Sequence, residues 1–297
     1  MRNIKKVLKD PRLVLTFILL RYCYWMNDEL YLRILYFLRV GKMLHLNPPR
    51  TYNEKLQWLK LYDRRPEYTM MVDKVTAKGY VAEVIGEEYI IPTLGVWGKF
   101  DDIDFNSLPN QFVLKCTHDS GGLVICTNKA ELDIASIKSK INKCLRRNYF
   151  WGTREYPYKN VRPRILIEKY MGDGDQDLRD YKFMCFNGKV KCSFVCSERF
   201  SDDGLKVTFW DRTWKKLPFS RKYPNSKVTI SKPCNYEKML ELAEMVAREI
   251  KNPFVRIDFY DVRGNIYFGE ITFYPGSGME IFYPAKWDRI LGDWIKI

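Results

Sequence analysis

Short apolar or alternating runs recur along the chain after residue 110, and they predict strands. Side chains of a strand point alternately to opposite faces, so a period of two is the expected pattern of a half-buried strand. The runs that fit this pattern span residues 111–116, 122–127, 164–171, 180–187, 189–196, 206–210, 254–260 and 266–272.

Apolar residues at helical spacing dominate residues 1–70 and return later in the chain. The stretch DELYLRILYFLRVGKML predicts a helix that ends at Gly41, and the next helix begins near Thr51 or Asn53, either of which can serve as its N-cap. Further helices are predicted over residues 71–86, 130–148 and 235–251. Helices combined with antiparallel hairpins and few βαβ units predict an α+β fold.

The last two predicted strands form a hairpin around the turn DVRGN. If this hairpin is symmetric about Gly264, Asp258 lies directly opposite Glu270. Arg256 then lies opposite Thr272 on the same face. Two carboxylates that face each other at about 5 Å repel by roughly 3 kcal/mol at an effective dielectric of about 20, so the pairing needs an explanation.

Aromatic neighbours indicate that this carboxylate pair is partly buried. By strict alternation, Tyr260 shares the face of Asp258, and Phe268 shares the face of Glu270. Opposed, partly buried carboxylates favour a cation between them, and hard oxygen ligands suit Mg²⁺ that arrives with the phosphates of a nucleotide. Arg256 on the same face would contact phosphate or a developing negative charge. The alternative is an exposed hairpin whose acids have only a structural role.

A second candidate site is the sequence QFVLKCTHDSGGLVIC at residues 111–126. Lys115 ends the first predicted strand, and Gly121 and Gly122 would let the backbone approach a ligand and expose its amide N–H groups. This arrangement suits a phosphate clamp, whereas the simpler interpretation is a hairpin turn beside a surface lysine. The common phosphate-binding loops are absent from the sequence.

A third candidate begins at RILIEKYM, where a buried strand ends in Glu168 and Lys169. The following loop, GDGDQD, places Asp173, Asp175 and Asp177 at D-x-D spacing. Such spacing could hold a divalent metal on a nucleotide-sugar, as a glycosyltransferase would. It is equally compatible with a solvated turn at the end of a strand.

Basic charge is concentrated at the start of the chain. The net charge is +14, and residues 1–66 hold 14 Lys or Arg against 5 Asp or Glu. This charge is compatible with nucleic acid, an anionic membrane surface or phosphorylated substrates. The apolar run from Leu13 to Leu20 is too short to span a bilayer, which needs about 20 residues. It predicts either a packed helix or a basic, aromatic-rich helix that lies on a membrane surface.

The eight cysteines are scattered along the sequence, and none belongs to a C-x-x-C pair. Several of them lie in apolar, strand-like runs such as LVIC and FMCF. This distribution predicts reduced core cysteines of a cytosolic protein rather than a disulfide framework. Because the chain has only two histidines, His45 and His118, a zinc site is not expected.

Taken in order, these pieces resemble the ATP-grasp superfamily: a strand lysine before a glycine loop, a strand ending in EK, and RID…GEIT…PG. The stretches DKVTAKGYV, FVLKCTHDSGG, DYKFMCFNGK and FGEITFYPGSG resemble its TupA-like branch, which is found in teichuronopeptide and capsular polysaccharide gene sets. The resemblance covers roughly residues 50–297. It implies an ATP-grasp fold with a basic helical segment at 1–70, a small subdomain at 71–170 and a large subdomain at 171–297.

The resemblance also implies roles for the matching positions. The implied ATP-binding residues are Lys74, Lys115, Ser120, Gly121, Gly122, Glu168, Lys169, Tyr170, Asp175 and Lys182. Asp258, Glu270 and Thr272 would bind magnesium, and Arg256 would be the catalytic residue that steadies the transferred phosphoryl group. Many relatives carry Asn where this chain has Thr272, whose hydroxyl has a shorter reach.

The implied activity is that of an ATP- and Mg²⁺-dependent carboxylate–amine ligase with an acylphosphate intermediate. The carboxylate would be a hexuronic acid of a surface glycan or of its lipid-linked precursor, and the partner would be an amino acid or another amine. No nucleic-acid partner is expected. The protein would be cytoplasmic, with a peripheral contact at the inner face of the membrane. A glycosyltransferase that uses the D-x-D, and a nucleotide-bound scaffold without turnover, are the alternatives.

Overall fold

Two antiparallel sheets form the framework of the protein in a computed structural model, which describes residues 11–119, 121–172, 179–198, 201 and 204–297. The strands are β1 Thr93–Trp97, β2 Phe112–Cys116, β3 Leu123–Cys126, β4 Ile165–Lys169, β5 Asp180–Phe186, β6 Lys189–Ser197, β7 Lys206–Asp211, β8 Phe254–Val262 and β9 Asn265–Thr272. The α-helices are α1 Pro11–Tyr22, α2 Asp28–Val40, α3 Tyr52–Tyr62, α4 Tyr68–Val72, α5 Thr76–Ile85, α6 Ile134–Leu145, α7 Tyr149–Thr153, α8 Tyr236–Ile250 and α9 Lys286–Trp294. The predicted α+β class is confirmed.

The smaller sheet has the strand order β1–β4–β2–β3, and each neighbouring pair is antiparallel. Burial alternates along β2, because Phe112 and Leu114 point into a core that α6 covers. Lys115 therefore points to the opposite face of this sheet. That face is the one on which the charged side chains described below are found.

The larger sheet has the strand order β7–β6–β5–β8–β9. Helix α8 packs against β5, β6 and β8, and the ring of its Tyr236 lies 5.7 Å from that of Phe183. Because side chains alternate, Lys182 on β5 points to the face that α8 leaves uncovered. Asp258 lies next to Lys182 on the neighbouring strand, so this second face carries the polar residues.

Helix α3 connects the start of the chain to its end. Thr51 is its N-cap, as predicted, and it forms a capping box with Glu54. The side chain of Asn53 donates to the carbonyl of Glu280 at 2.8 Å, and Lys55 Nζ donates to the carbonyl of Ile295 at 2.8 Å. The apolar side of α3 belongs to the core of the larger sheet. The domain boundaries at residues 70 and 170 stay predictions.

Helix α1 buries little of its apolar surface. Leu19 is buried, whereas Leu13 and Phe17 are 48% and 62% exposed, and Trp25 just beyond the helix is 75% exposed. Among the helices that the structure describes, none combines the length and the apolar character needed to cross a membrane.

All eight predicted strands are present, with ends within two residues of the predicted ones. The predicted helix over 71–86 is wrong as one element, because α4 and α5 are separate helices. The break is at Asp73, whose Oδ1 accepts a hydrogen bond from Val75 N at 2.9 Å and so offers the backbone an alternative to the helix. Strand β1 and helices α7 and α9 were not predicted from the sequence. Of these, β1 is a short edge strand without a clear burial pattern.

Candidate active site

The hairpin of β8 and β9 pairs the two predicted carboxylates. Asp258 lies opposite Glu270, and Arg256 lies opposite Thr272, so the predicted register is confirmed. The side chain of Asp258 is almost fully buried, whereas that of Glu270 is 44% exposed. The hairpin therefore presents one buried and one accessible carboxylate on the same face of the larger sheet.

The turn of this hairpin differs from the predicted one. Arg263 and Gly264 both have positive φ angles, 52° and 79°, which fits a two-residue type I′ turn rather than a turn centred on one glycine. A register shift between Asp258 and Phe259 leaves Gly269 as the extra residue of a bulge. Phe268 consequently pairs with Phe259 and lies in the core, so its predicted place on the carboxylate face is wrong.

Protein cations hold the carboxylate pair together. Arg256 Nε lies 2.6 Å from Asp258 Oδ1, and its Nη2 lies 2.7 Å from Asp258 Oδ2 and 2.5 Å from Glu270 Oε1. Lys182 Nζ contacts Asp258 Oδ2 and lies 2.6 Å from Asp180 Oδ2. In this state a guanidinium and an ammonium offset the repulsion between the acids, so the pairing by itself does not require a metal.

The pKa shifts in this cluster follow from burial and charge. Burial raises the pKa of Asp258, and Arg256 and Lys182 oppose that rise without cancelling it. Burial would also raise the pKa of Glu270, but Arg256, Lys182 and Lys74 outweigh it and hold that pKa well below its usual range. Because Glu270 is partly exposed, the surrounding cations dominate there. Glu270 therefore keeps its charge to lower pH than Asp258 does.

A second charged cluster lies on the smaller sheet. Glu168 on β4 is buried and forms ion pairs with Lys78 of α5 and, at 2.5 Å, with Lys115 of β2. Burial would raise the pKa of Glu168, but the two lysines outweigh it and lower that pKa. Lys78 Nζ also donates to the carbonyl of Ile91 at 2.7 Å. Two lysines thus share a single carboxylate at this position. The cluster keeps a net positive charge, which could attract an anion such as phosphate.

The loop between β2 and β3 is held by its own aspartate. Asp119 Oδ1 accepts hydrogen bonds from the amides of Gly121 at 3.2 Å and Gly122 at 2.9 Å. These are the amides that the sequence analysis assigned to phosphate. A phosphate group would have to replace the Asp119 carboxylate to reach them, so in this structure the loop adopts a self-bonded form.

Lys74 lies between the two clusters. It occupies the break between α4 and α5, and its Nζ donates to the carbonyl of Asp119 at 2.6 Å. Burial lowers the pKa of Lys74; the negative charge of Glu270 opposes this shift, and the positive charge of Lys115 adds to it. Lys74 and Glu270 line the same narrow cleft. The break in the predicted helix is therefore what brings this lysine to the site.

The remaining residues predicted for the site lie at its edge or outside the described part of the chain. Lys169 is exposed and follows Glu168 on the strand, so it points to the opposite face. Tyr170 lies just beyond β4, where its ring packs so closely on Gly172 that a Cβ at residue 172 would be 2.1 Å from Tyr170 Oη. Thr272 Oγ1 donates to Glu270 Oε1 at 3.3 Å. Ser120, Asp173, Asp175 and Asp177 lie outside the described residues.

A buried lysine next to the hairpin was not predicted from the sequence. Lys60 of α3 is fully buried, and its Nζ donates to Thr153 O, Ser277 O and Ser277 Oγ at 2.8–2.9 Å. Gln57, one turn earlier, donates to the carbonyls of Ser277 and Gly278. The available signal in the sequence was that Gln57 and Lys60, at positions i and i+3, are polar residues within the apolar side of a predicted helix. Together they hold the PGSG segment that follows β9.

The oxygen donors of the hairpin fit a magnesium ion. Asp258, Glu270 and Thr272 offer two carboxylates and a hydroxyl on one sheet face, and these are the hard ligands that Mg²⁺ prefers. Glu270 is accessible from the cleft. Asp258 is at present bound by Arg256 and Lys182, and these two cations would have to share it with the metal.

The sequence matches the family model described as TupA-like ATPgrasp over residues 54–296. This match identifies an ATP-grasp protein, an enzyme of the carbon–nitrogen ligase class, and the two antiparallel sheets with their lysines and opposed carboxylates agree with it. Within that class, the chain belongs to the TupA-like ATP-grasp family. The ATP-grasp fold predicted from the sequence is thereby confirmed. No curated protein matches the chain.

The solved structures that match this chain have low sequence identity to it and low TM-scores. The D-alanine–D-alanine ligase from Bacillus anthracis complexed with ATP is 16% identical, with a TM-score of 0.43, over 84% of this chain and 68% of that one. The corresponding ligase from Helicobacter pylori is 17% identical, with a TM-score of 0.44, over 82% and 69%. The biotin carboxylase domain from Hydrogenobacter thermophilus with MgADP is 17% identical, with a TM-score of 0.41, over 68% and 40%. The family assignment is based on the sequence match.

Proposed function

We propose that this enzyme joins a carboxylate of a surface or capsular polysaccharide, or of its lipid-linked precursor, to an amine. The observation that carries the proposal is the position of Lys74, which lies between the Lys115–Glu168 cluster and the Arg256–Asp258–Glu270 cluster. Lysines that can bind phosphate, close to carboxylates that can bind a metal, are what a nucleotide triphosphate with its metal requires. Family membership supports the same reaction class.

In the proposed reaction, the carboxylate oxygen attacks the γ-phosphorus of ATP, which gives an acylphosphate and ADP. The amine then attacks the acyl carbon, an amide forms, and phosphate and a proton leave. Magnesium held by Asp258, Glu270 and Thr272 would neutralise charge on the β- and γ-phosphates. Lys115 would hold ATP phosphates, and Arg256 would steady the phosphoryl group during its transfer.

Arg256 is well suited to this role because it is fixed before any ligand arrives. Its guanidinium is already oriented by two bonds to Asp258, so little freedom is lost when it contacts phosphate. Lys182 shares Asp258 with Arg256 and so remains charged at neutral pH. A pair of oriented cations beside the carboxylates would stabilise charge that develops on the transferred group.

We propose a hexuronic acid as the carboxylate and an amino acid as the amine. The support is the TupA-like family and a net charge of +14, which suits an anionic glycan. A peripheral contact with the anionic inner leaflet is part of the same proposal, because Phe17 and Trp25 are exposed within the most basic part of the chain. Family membership favours this ligase over the glycosyltransferase alternative.

The test is incubation of the protein with ATP, Mg²⁺, a uronic acid oligosaccharide and mixed amino acids, followed by mass spectrometry. The expected product is an amide, formed together with one ADP for each bond. Hydroxylamine in place of the amino acids should trap the acylphosphate as a hydroxamate. If nucleotide-sugars are hydrolysed and ATP is not, the ligase proposal is wrong. If a hydroxamate forms only with a carboxylate other than a uronate, only the substrate assignment is wrong.

A further inference from the structure

Three scattered residues meet inside the smaller subdomain, away from the carboxylate hairpin. Cys116 ends β2, Asp119 lies in the loop after it, and Cys144 lies in the last turn of α6. Their two Sγ atoms and a carboxylate oxygen all lie within 4.8 Å of one another, and all three residues are buried. Of the residues that the structure describes, only this set groups three metal-ligating side chains of this kind.

We propose that Cys116, Asp119 and Cys144 form a binding site for a thiophilic divalent cation of the Zn²⁺ type. Two thiolates and one carboxylate are a normal ligand set for zinc, and the sulfur ligands select against Mg²⁺ and Ca²⁺. Ligands around tetrahedral zinc are separated by about 3.3–3.8 Å, so the three atoms have to approach by on the order of 1 Å. Rotation of the two cysteine side chains and of Asp119 provides movements of this size.

A fourth group is already next to the site. His118 is buried, and its Nε2 lies 3.1 Å from the carbonyl of Cys144. Its Nδ1 has no hydrogen-bond partner within the described ranges of the chain. A buried ring nitrogen without a partner is costly, and a metal or a metal-bound water would satisfy it. His118, which directly precedes Asp119 and contacts the backbone of Cys144, thus adds a buried polar atom without a partner beside the group, although its ring nitrogens are not among the three grouped ligand atoms.

The site is separate from the proposed magnesium site in both chemistry and position. Cys116 follows Lys115 on β2, so its side chain points to the covered face of the smaller sheet, where it belongs to the core. Asp258 and Glu270 lie on the larger sheet and offer only oxygen. The inference therefore does not depend on the proposed ligase reaction.

A cation here would act on the glycine loop. Asp119 Oδ1 holds the amides of Gly121 and Gly122, and a Cβ on Gly122 would lie 2.4 Å from Cys116 Sγ. The loop therefore touches two of the three ligands. Metal bound through Asp119 would keep that carboxylate in place and so favour the self-bonded form of the loop.

The test begins with metal-free wild-type protein titrated with Co²⁺ and then with Zn²⁺. We expect one equivalent of Co²⁺ to produce a thiolate-to-cobalt charge-transfer band in the near ultraviolet, and Zn²⁺ to abolish it. In the same wild-type protein, bound Zn²⁺ should slow alkylation of Cys116 and Cys144 at least tenfold, as located by peptide mass spectrometry. This protection assay needs no variant, so a variant that fails to fold cannot obscure it.

Variants then assign the ligands. Cys116→Ser and Cys144→Ser should each lose the cobalt band, and Asp119→Asn should weaken Co²⁺ binding at least tenfold. Cys126→Ser is the matched control, because Cys126 is equally buried in the same sheet but outside the group, and it should keep the band. The proposal is overturned by absence of the band in wild type, by equal loss in Cys126→Ser, or by a Cys116–Cys144 disulfide in protein isolated without reductant.

Discussion

Arg256 and Asp258, two residues apart on one strand, form a bidentate ion pair with hydrogen bonds of 2.6 and 2.7 Å. Asp258 is almost completely buried, so its charge is compensated mainly by Arg256 and Lys182. A carboxylate held this tightly cannot be neutralised without leaving two buried cations short of a partner. For that reason, the partly exposed Glu270 is the better residue with which to test the hairpin.

We expect Glu270→Gln to reduce ATP turnover at least a hundredfold while the melting temperature changes little, because a proposed metal ligand is lost from an accessible position. Asp261→Asn, on the same hairpin but beyond the bulge, is the control and should keep its activity. Steady-state ADP release and thermal unfolding measure the two effects. Near wild-type turnover in Glu270→Gln would show that the hairpin has only a structural role.

Asp258→Asn should instead lower both activity and stability. Removing one partner of a buried ion pair typically costs about 3–5 kcal/mol, because the remaining charge stays buried without compensation. Denaturant unfolding of Asp258→Asn and Glu270→Gln side by side measures the difference. Equal stability of the two variants would contradict the compensation described for Arg256 and Lys182.

Lys115→Ala should weaken ATP binding by about 1.5–3 kcal/mol, which is typical for a lost hydrogen bond to a charged group. The variant should remain folded, because Lys78 still pairs with Glu168. Lys99→Ala, at an exposed position shortly after β1 of the smaller sheet, is the control. Calorimetry with a non-hydrolysable ATP analogue measures the affinity. An unchanged ATP affinity in Lys115→Ala would show that Lys115 does not belong to the phosphate-binding site.

The amides of Gly121 and Gly122 should exchange hydrogen more slowly when nucleotide is bound, because phosphate oxygens would replace the single Asp119 acceptor and close the loop. Gly264 N is a matched control, since it also donates to an aspartate side chain, at 3.2 Å, but lies in the distant hairpin turn. Hydrogen exchange followed by mass spectrometry compares the two regions. The same protection at residues 121–122 with and without nucleotide would exclude a lid.

Lys60 gives the stability of the protein a specific pH dependence. Burial lowers the pKa of Lys60 to about 8, while in the unfolded chain the group keeps its usual value of about 10.5. Between these values the unfolded state binds more protons, so the free energy of unfolding should increase as the pH rises from about 8 to 10. Lys60→Met should lose this increase, and Lys42→Met, at an exposed position, should keep it. A wild-type stability that is flat over this range would contradict the prediction.

Binding to anionic vesicles should depend on both charge and apolar residues near the start of the chain. Replacing Arg2, Lys5, Lys6, Lys9 and Arg12 by Gln should remove binding at low salt, since each basic residue near such a surface contributes about 1 kcal/mol. In a chain that keeps these basic residues, Phe17→Ser with Trp25→Ser should by itself weaken binding. Val228→Ser with Ile281→Ser, two exposed apolar sites elsewhere, is the control. Co-sedimentation with the vesicles measures binding. If the wild-type protein does not bind, the membrane proposal is wrong, and α1 has a packing or acceptor-binding role.

The strands could be predicted because their alternating pattern is local. The detailed geometry of the β8–β9 hairpin could not be predicted in this way. The pairing of Asp258 with Glu270 is correct, although two deviations produce it: the turn lies at Arg263 and Gly264, and the bulge at Gly269 restores the register. Strict alternation could not reveal the bulge, and it therefore assigned Phe268 to the wrong face. Gly269, inside the strand between Phe268 and Glu270, was the local sign of the bulge.

Other parts of the site depend on contacts between residues far apart in sequence. Lys74 reaches the cleft because Asp73 interrupts a helical pattern that otherwise continues. Lys60 is buried because Ser277, 217 residues later, supplies its acceptors. Cys116 and Cys144 meet only when α6 packs on the smaller sheet. No spacing rule within one segment of the sequence contains this information.

The contact of α3 with the end of the chain has a consequence during synthesis. Lys55 Nζ donates to the carbonyls of Gly292 and Ile295, which are 237 and 240 residues further on. A ribosome that adds about 5–20 residues per second needs on the order of 10 to 50 s to make the intervening chain. During that time the apolar side of α3 lacks its final contacts, and the core of the larger sheet can close around α3 only after residues 292–295 have been made. Newly made chains would then be exposed to aggregation, and in need of chaperones, until residues 292–295 have emerged.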